Sequence, residues 1–375
     1  MLKSMLFGGV VETAKPWVAT LGGSSPDPGY SVAVAPDGSV YVCGETWSAG
    51  AGYSDLLLAK FSSSGTVQWQ RILGGSDNDR GRSVAVAPDG SVYVCGYTES
   101  AGAGGYDLLL AKFSSSGTVQ WQRTLGGSND DEGHSVAVAS DGSVYVCGYT
   151  ESAGAGNQDL LLAKFSSSGA VQWQKTLGGS DYDDGRSVAV APDGSVYVCG
   201  ENRYNFLLAK FSSSGAVQWQ KTLGGSNPDS GYSVAVAPDG SVYVCGYIDS
   251  YSYFLLAKFS SSGTVQWQRT LGGSDDDEGH SVAVAPDGSV YVCGYTGSAG
   301  AGSWDLLLAK ITDSLIEKDI VTFGNLNFQD ASLTSKNVSL TSKSSSLSVS
   351  NAGLTVTTPS LTVVTPSLTT NLYTL

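Results

Sequence analysis

Hydrophobic and polar positions alternate along most of this chain, with the period of two that is typical of half-buried β-strands. The segment Ser31–Gly44, SVAVAPDGSVYVCG, holds two such strands. Between them lies Asp37-Gly38, a dipeptide that accepts the positive φ angles of a tight hairpin turn. Near-copies begin at Ser83, Ser135, Ser187, Ser233 and Ser281. Six copies spaced 46 to 52 residues apart indicate a repeat architecture.

Each unit adds two further strand candidates, as in DLLLAKF from Asp55 and TVQWQRILG from Thr66, with SSSG as the turn between them. The sixth unit ends after its third strand. A lone copy of the fourth strand lies near Trp17, ahead of the first unit. Propellers fasten their rings by such strand exchange, which removes open sheet edges.

We therefore predict an all-β fold, a six-bladed β-propeller over residues 16–314 that is closed by an N-terminal strand. Residues 1–15 would be a leader or attachment segment. A signal peptide is an alternative for them, although Glu12 ends the apolar run early and no clean cleavage site follows. A linear solenoid is the rival architecture, but it has no need for an offset N-terminal strand.

The repeat resembles a known family. SVAVAPDGSVYVCGYT followed by DLLLAKFSSSGTVQWQRTLGGS is similar to the bacterial β-propeller repeat called SBBP, and the similarity recurs six times over roughly 300 residues. The family occurs mostly in bacterial surface, secreted and virus-related proteins, so the resemblance implies a binding or scaffold role. This chain departs from the family in having six units instead of seven, in carrying Cys in the second strand, and in its weak export signal.

Residues 315–375 are rich in Ser, Thr and Val and have a strict seven-residue leucine period. Poor helix propensity and two prolines, Pro359 and Pro366, argue against a coiled coil and favour one short strand per seven residues. We expect a fibrous β tail for oligomerisation or attachment. Three chains could wrap into a homotrimeric β-prism, or one chain could form a solenoid with three seven-residue sides per coil. A disordered linker is the third interpretation. The leucines are Leu326, Leu333, Leu340, Leu347, Leu354, Leu361, Leu368 and Leu375.

The composition of the chain limits the classes of binding partner that it could have. The net charge of −14 argues against nucleic acid, which needs a basic surface. No apolar run approaches the length of a membrane span.

The six cysteines occupy the same position in each repeat, so they should lie on different blades, too far apart for disulfides. We expect buried free thiols and folding in a reducing compartment. These are Cys43, Cys95, Cys147, Cys199, Cys245 and Cys293.

Sequence variation among the repeats concentrates on one predicted face, formed by the loops between second and third strands and by the connections between blades. The residue just before each first strand should reach the mouth of the central channel. Arg82, His134 and Arg186 would form a local cationic patch there, able to hold an anionic or sugar ligand. Alternatively, these residues plug the channel and pair with nearby Asp. The six positions are Tyr30, Arg82, His134, Arg186, Tyr232 and His280.

Two further features lie on this face. The loops of the fourth and fifth units are short and aromatic, and Tyr204, Tyr251 and Tyr253 could line a notch that binds a ligand, unless these rings pack in the core. Acidic connections such as GGSDNDRG could hold Ca²⁺, but solvated turns are the simpler interpretation, and we predict no metal site and no cofactor.

The sequence has no Ser-His-Asp order, phosphate loop or zinc spacing, so we predict no catalytic residues. The expected function is a non-enzymatic structural and binding subunit of an extracellular assembly, most simply a phage tail fibre or spike that folds in the cytoplasm. Its partners would be itself, as a homotrimer through the tail, other virion or surface proteins, and a surface glycan. The alternatives are a bacterial or archaeal surface adhesin or matrix protein, and a secreted propeller enzyme that acts on glycans.

Overall fold

A computed structural model describes residues 17–224, 226–249, 253–300, 302–312, 316, 320–331, 333–337, 341–344, 348–350, 355–357 and 362–364. The predicted leader, Tyr251 and most leucines of the tail lie outside these residues. Every element named below is a β-strand, and the all-β expectation is confirmed.

The repeat region contains 24 strands. In chain order they are β1 Thr20–Gly22, β2 Gly29–Val34, β3 Val40–Thr46, β4 Asp55–Phe61, β5 Val67–Gly74, β6 Asp79–Val86, β7 Val92–Thr98, β8 Asp107–Phe113, β9 Val119–Gly126, β10 Asp131–Val138, β11 Val144–Thr150, β12 Asp159–Phe165, β13 Val171–Gly178, β14 Asp183–Val190, β15 Val196–Asn202, β16 Asn205–Phe211, β17 Val217–Gly224, β18 Ser230–Val236, β19 Val242–Ile248, β20 Tyr253–Phe259, β21 Val265–Gly272, β22 Asp277–Val284, β23 Val290–Thr296 and β24 Asp305–Ile311.

The described residues of the C-terminal region add seven shorter strands. They are β25 Ile320–Phe323, β26 Leu326–Asp330, β27 Thr334–Asn337, β28 Thr341–Ser344, β29 Ser348–Ser350, β30 Thr355–Thr357 and β31 Thr362–Val364.

Each repeat folds as an antiparallel meander, as the alternating pattern predicts. Five sheets contain four consecutive repeat strands, namely β2–β5, β6–β9, β10–β13, β14–β17 and β18–β21. The sixth sheet contains only β22–β24. Successive sheets pack face to face, and an apolar cluster fills each space between them, as with Leu58 of one sheet and Val94 of the next. The repeated four-stranded sheets are consistent with a propeller.

The cysteines lie in these clusters. Cys43, Cys95, Cys147, Cys199 and Cys245 are buried and Cys293 is half-buried, and all six are free thiols. Burial raises the pKa of Cys293 and of the other five thiols. The structure therefore agrees with the prediction that cysteine acts here as a small apolar residue.

The hairpin between the first two strands of each repeat differs from the expected tight turn. Only its glycine has a positive φ, which is 80° at Gly38. The amide of Gly38 donates to the carbonyl of Ala35, and the Asp37 carboxylate accepts from the amide of Ser39. Asp37 thus acts as a side-chain acceptor that stabilises a wider turn, and only the glycine position needs left-handed backbone.

Among the described tail strands, only β25 and β26 pair with each other, and these strands do not form a fibre of their own. Each of β26 to β30 instead adds a fifth strand to the outer edge of one sheet, in reverse order along the chain. β26 pairs with β21, β27 with β17, β28 with β13, β29 with β9 and β30 with β5.

The register of these pairs explains the seven-residue period. The glycine that ends each fourth strand pairs with one tail residue. From one sheet to the next these tail partners are seven residues apart, from Asn327 opposite Gly272 to Thr355 opposite Gly74. One period therefore carries the chain from one sheet edge to the next. Each tail strand forms its backbone hydrogen bonds with the outer edge of a sheet. The backbone groups of such an edge need hydrogen-bond partners of their own.

The N-terminal strand also differs from its expected position. β1 pairs with β31 and not with β24, so the sixth sheet keeps three strands. In the described residues the ring is therefore not closed through β1 and β24.

Candidate binding face

Six β-bulges place the predicted channel-mouth residues. In the third sheet, Gly133 pairs with Gly148 and Ser135 with Cys147, so His134 is the extra residue between them. A bulge turns its extra side chain away from the regular alternation. The same shift occurs once in each of the six sheets, and it leaves Tyr30, Arg82, His134, Arg186, Tyr232 and His280 as extra residues. We call these six residues the bulge ring.

The predicted trio lies together, with carboxylates between its members. Nδ1 of His134 lies 3.2 Å from Oδ1 of Asp184, and its Nε2 lies 3.3 Å from Oε2 of Glu132. Glu132 also faces Nη2 of Arg82 at 3.7 Å, and Asp184 faces Nε of Arg186 at 2.8 Å. The cations therefore form one ion-pair network across three sheets, rather than an uncompensated cationic patch.

Aromatic contacts extend this network around the bulge ring. The guanidinium of Arg82 lies over the ring of Tyr30 at 5.6 Å, and that of Arg186 lies over Tyr232 at 5.9 Å. Tyr232 in turn contacts His280, with ring centroids 5.2 Å apart. Contacts thus run continuously from Tyr30 to His280 through all six sheets.

The network fixes the charge of His134. Burial by itself would lower the pKa of His134, but the Asp184 and Glu132 carboxylates outweigh it and raise that pKa to about 9. Burial favours the neutral acids at Glu132 and Asp184, yet the contacts with His134 hold the pKa of both carboxyls below the usual range. A protonated imidazole with a carboxylate at each nitrogen is poorly suited to act as a general base.

We expect the stability of the protein to fall as the pH rises from about 6.5 to about 9, because His134 loses its proton there. Because the pKa of His134 is raised in the folded state, the protonated imidazole contributes its full stabilisation below the unfolded-state pKa of roughly 6.5. Melting curves should show a decrease in Tm of roughly 3–6 °C over this window.

His134→Gln should flatten that dependence, whereas His280→Gln should keep it, since His280 is half exposed. An equal slope in wild type and His134→Gln would contradict the assignment.

The acidic connections are built around one buried aspartate each. Oδ2 of Asp79 accepts hydrogen bonds from the amide of Gly75 at 2.8 Å and from the hydroxyl of Ser100 at 2.7 Å. Asp131 and Asp277 make the same pair of contacts in their own connections. These aspartates tie the connection to the neighbouring loop and are buried turn acceptors, whereas Asp275 and Asp276 are exposed, as expected for solvated turns.

The notch region contains a cleft of about 390 Å³ beside the short loop of the fifth sheet. Tyr253 lines it together with Ile248, Asp249 and the tail residue Leu333. Tyr204 is exposed in the preceding short loop, and its carbonyl accepts from the amide of Asp229, another residue of the cleft wall. Tyr204 and Tyr253 therefore lie near one cleft, whereas Tyr251 is outside the described residues.

Sequence reasoning missed several exposed aromatic side chains on the same face. Trp304 is exposed in the loop between β23 and β24 and lines a second cleft of about 450 Å³ with Asp275 and Asp276. Trp47, Tyr53 and Tyr182 are also exposed in loops or connections on this face. The long loops share SAGAG but end in different residues, so a single ring such as Trp304 belongs to no repeated pattern in the sequence.

Two family models match parts of the repeat region. The model of the SBBP β-propeller repeat matches residues 68–102 and 120–154. These two segments are thus similar to SBBP repeats. A second β-propeller domain model, DUF5122, of unknown function, matches residues 35–67, 87–119 and 139–171. The resemblance drawn from the repeated segments is confirmed.

Among curated proteins, the chain is similar to the regulatory protein FlaEY of Caulobacter vibrioides, with 31% identity over 162 residues. The match covers 38% of this chain and 17% of that protein, so the chain spans less than a fifth of the relative's length.

One solved structure agrees in fold. Virginiamycin B lyase from Staphylococcus aureus superposes with a TM-score of 0.52 at 11% identity, over 74% of this chain and 81% of that one. An α-L-arabinofuranosidase from Fusarium graminearum gives 0.49 at 10% identity, over 77% and 94%.

The described residues contain no group of three or more His, Cys, Asp or Glu side chains arranged to hold a metal ion. No helix among them is long and apolar enough to cross a membrane.

Proposed function

We propose that the chain is a non-enzymatic structural and binding subunit of an extracellular assembly, in which six sheets form the blades of a propeller that recognises a glycan. The main observation in support of this proposal is the concentration of exposed aromatic rings on one face. Trp47, Tyr53, Tyr182, Tyr204 and Trp304 are exposed there, whereas the PDG and SSSG turns of the opposite face contain no aromatic residue. Exposed aromatic rings stack on sugar faces and mark interaction surfaces.

The absence of catalysis is part of the proposal. The bulge ring commits its two histidines and two arginines to ion pairs and aromatic contacts, which suits a rigid binding surface. A secreted enzyme that acts on glycans is the alternative, and new reducing ends after incubation with a bound glycan would support it.

A phage tail fibre or spike is the setting we propose. Its support is the burial of free thiols in the blade interfaces, which fits folding in the cytoplasm before release by lysis. A bacterial surface adhesin or matrix protein is the second candidate, favoured by the similarity to a protein of a cellular bacterium. The homotrimer stays a prediction. The outer edges of the described tail strands β27 to β30 lie at the ends of their sheets, where a partner strand could add.

Binding to an array of bacterial capsular and lipopolysaccharide glycans tests the proposal. We expect wild-type protein to bind at least one glycan, and Tyr204→Ala or Trp304→Ala to weaken that binding roughly tenfold through lost stacking. Ser116→Ala, in a turn of the opposite face, is the matched control and should bind like wild type. A lack of binding to every glycan, or equal binding by all variants, would count against glycan recognition.

A further inference from the structure

Three pairs of buried aspartates lie between neighbouring sheets of the repeat region. In the first pair, Asp55 begins β4 and Asp79 begins β6, and the two residues are 1% and 0% exposed. An alanine Cβ at Gly74 would lie 1.6 Å from Oδ1 of Asp55 and 3.0 Å from Oδ2 of Asp79, so both carboxyl groups converge on one glycine. The same convergence occurs at Gly126 and Gly178. We call these three pairs the carboxyl pairs, and they are Asp55 with Asp79, Asp107 with Asp131, and Asp159 with Asp183.

The two members of a carboxyl pair have different hydrogen bonds. Oδ2 of Asp79 accepts from an amide and a hydroxyl, as suits a carboxylate. Oδ2 of Asp55 accepts from the amide of Ala51 in the long SAGAG loop at 3.1 Å, and the second and third pairs repeat this contact. Oδ1 of Asp55 and Oδ1 of Asp159 have no hydrogen-bond partner in the described part of the chain. The first member therefore holds the loop with one oxygen and turns the other towards the second member.

The carboxyl pairs lack a compensating cation. No ion pair among the described residues includes any of their six aspartates. Burial raises the pKa of Asp55, and the charge of Asp79 raises it further. Burial also raises the pKa of Asp107, and the charge of Asp131 adds to this effect. Two adjacent ionised carboxylates in a buried site cost far more free energy than one carboxylate beside one neutral acid.

The other charged groups that face the pairs are carboxylates as well. Asp77 lies near the first pair, and Asp130 and Glu151 lie near the second. Asp181 lies near the third pair and itself faces Arg203 at 3.6 Å. These neighbours favour uptake of a proton over a second negative charge.

The fourth sheet has a neutral residue at the first position of the pair. Asn205 begins β16 as Asp55 begins β4, and Asp229 takes the place of Asp79. An alanine Cβ at Gly224 would lie 2.3 Å from Oδ2 of Asp229 and 3.2 Å from Oδ1 of Asn205, so these side chains converge in the same way. Asparagine has the shape of a protonated aspartate and no charge. The sequence itself thus provides one neutral and one charged group at this position.

We propose that each carboxyl pair shares one proton and acts as an acid-stabilised latch for a long loop of the binding face. Oδ1 of the first member carries the proton and donates a hydrogen bond to the carboxylate of the second member. When the pH rises, the proton passes to solvent, two adjacent buried carboxylates remain, and the loop loses its anchor. Because the folded-state pKa is raised, the stabilisation is complete below the ordinary aspartate value of roughly 3.9 and is lost as the pH rises through the raised value. The latch does not depend on glycan recognition.

The test gives the first member of each carboxyl pair the side chain that the fourth sheet has. Asparagine keeps a hydrogen-bond donor but does not titrate. We expect the variant to melt like wild type at about pH 5 and to exceed its Tm by roughly 3 °C or more at about pH 8. His134 is present in both proteins, so its own titration cancels in the difference. The variant is the triple substitution Asp55→Asn, Asp107→Asn, Asp159→Asn.

A second measurement detects the proton directly. The infrared difference spectrum of wild type minus triple variant at about pH 5 should contain the carbonyl band of a protonated carboxyl group. Asp276→Asn is the matched control, since it removes an exposed carboxylate outside the carboxyl pairs. Its Tm should differ from that of wild type by the same amount at both pH values. If the triple variant does not fold, Asp107→Asn alone gives the same comparison with about a third of the shift.

Two outcomes would overturn the proposal. A triple variant that is less stable than wild type at both pH values, with no band of a protonated acid, would mean that the first members are ionised acceptors. A rise in the Tm of wild type on addition of Ca²⁺ at about pH 8, absent from the triple variant, would mean that the pairs hold a metal ion in place of the proton.

Discussion

Deleting residues 319–375 is expected to lower the Tm by roughly 10 °C or more and to promote aggregation, because it removes the outer strand from five sheets. The loss exposes the backbone edges of β5, β9, β13, β17 and β21, and free edges template association between chains. It also removes Phe328, which is 1% exposed and packs in the cluster between the fifth and sixth sheets. Melting curves and light scattering of the full and shortened chains measure both effects.

A shorter deletion of residues 365–375 is the matched control, since it removes no described strand, and its Tm should equal that of the full chain. The mass measurement also tests the homotrimer. If the full chain is a trimer and the 319–375 deletion a monomer with an unchanged Tm, the tail is an assembly element and its pairing with the blades is wrong.

The period-two pattern sufficed to predict the four strands of each repeat, because alternation depends on local burial. In the tail, the seven-residue leucine period together with poor helix propensity predicted one short strand per seven residues. The partner of those strands could not be predicted, since a period gives spacing and does not identify the edge that a strand joins. Only the register of pairs such as Gly224 with Thr334 shows that seven tail residues carry the chain from one sheet edge to the next.

The candidate site was predicted in part. Position in the repeat placed Arg82, His134 and Arg186 near one another, and the structure joins them through Glu132 and Asp184. The ion pairs with Asp184 agree with the alternative interpretation from sequence, in which these residues pair with nearby Asp, whereas Glu132 was not named there. Single exposed rings such as Trp304 were missed because one aromatic residue in a loop gives no pattern.

Gly148→Ala is expected to destabilise the protein by about 3 kcal/mol or more, because Gly148 faces the bulge that carries His134. An added Cβ would lie 1.9 Å from the carbonyl oxygen of Glu132, and no side-chain rotation can relieve a contact with backbone. β10 must therefore shift away from β11, which displaces both Glu132 and His134. Melting curves should show a Tm lower by roughly 4 °C or more.

The matched control is Gly142→Ala in the same sheet, where φ is +81° and the nearest atom to the added Cβ is 3.7 Å away. That change should cost only about 1 kcal/mol of backbone strain.

The pH dependence separates the two variants further, since a displaced His134 loses its carboxylate contacts and hence its raised pKa. Gly148→Ala should thus flatten the fall in Tm between about pH 6.5 and 9, whereas Gly142→Ala should retain it. Equal melting temperatures and equal pH slopes in both variants would mean that the bulge does not require glycine at this position.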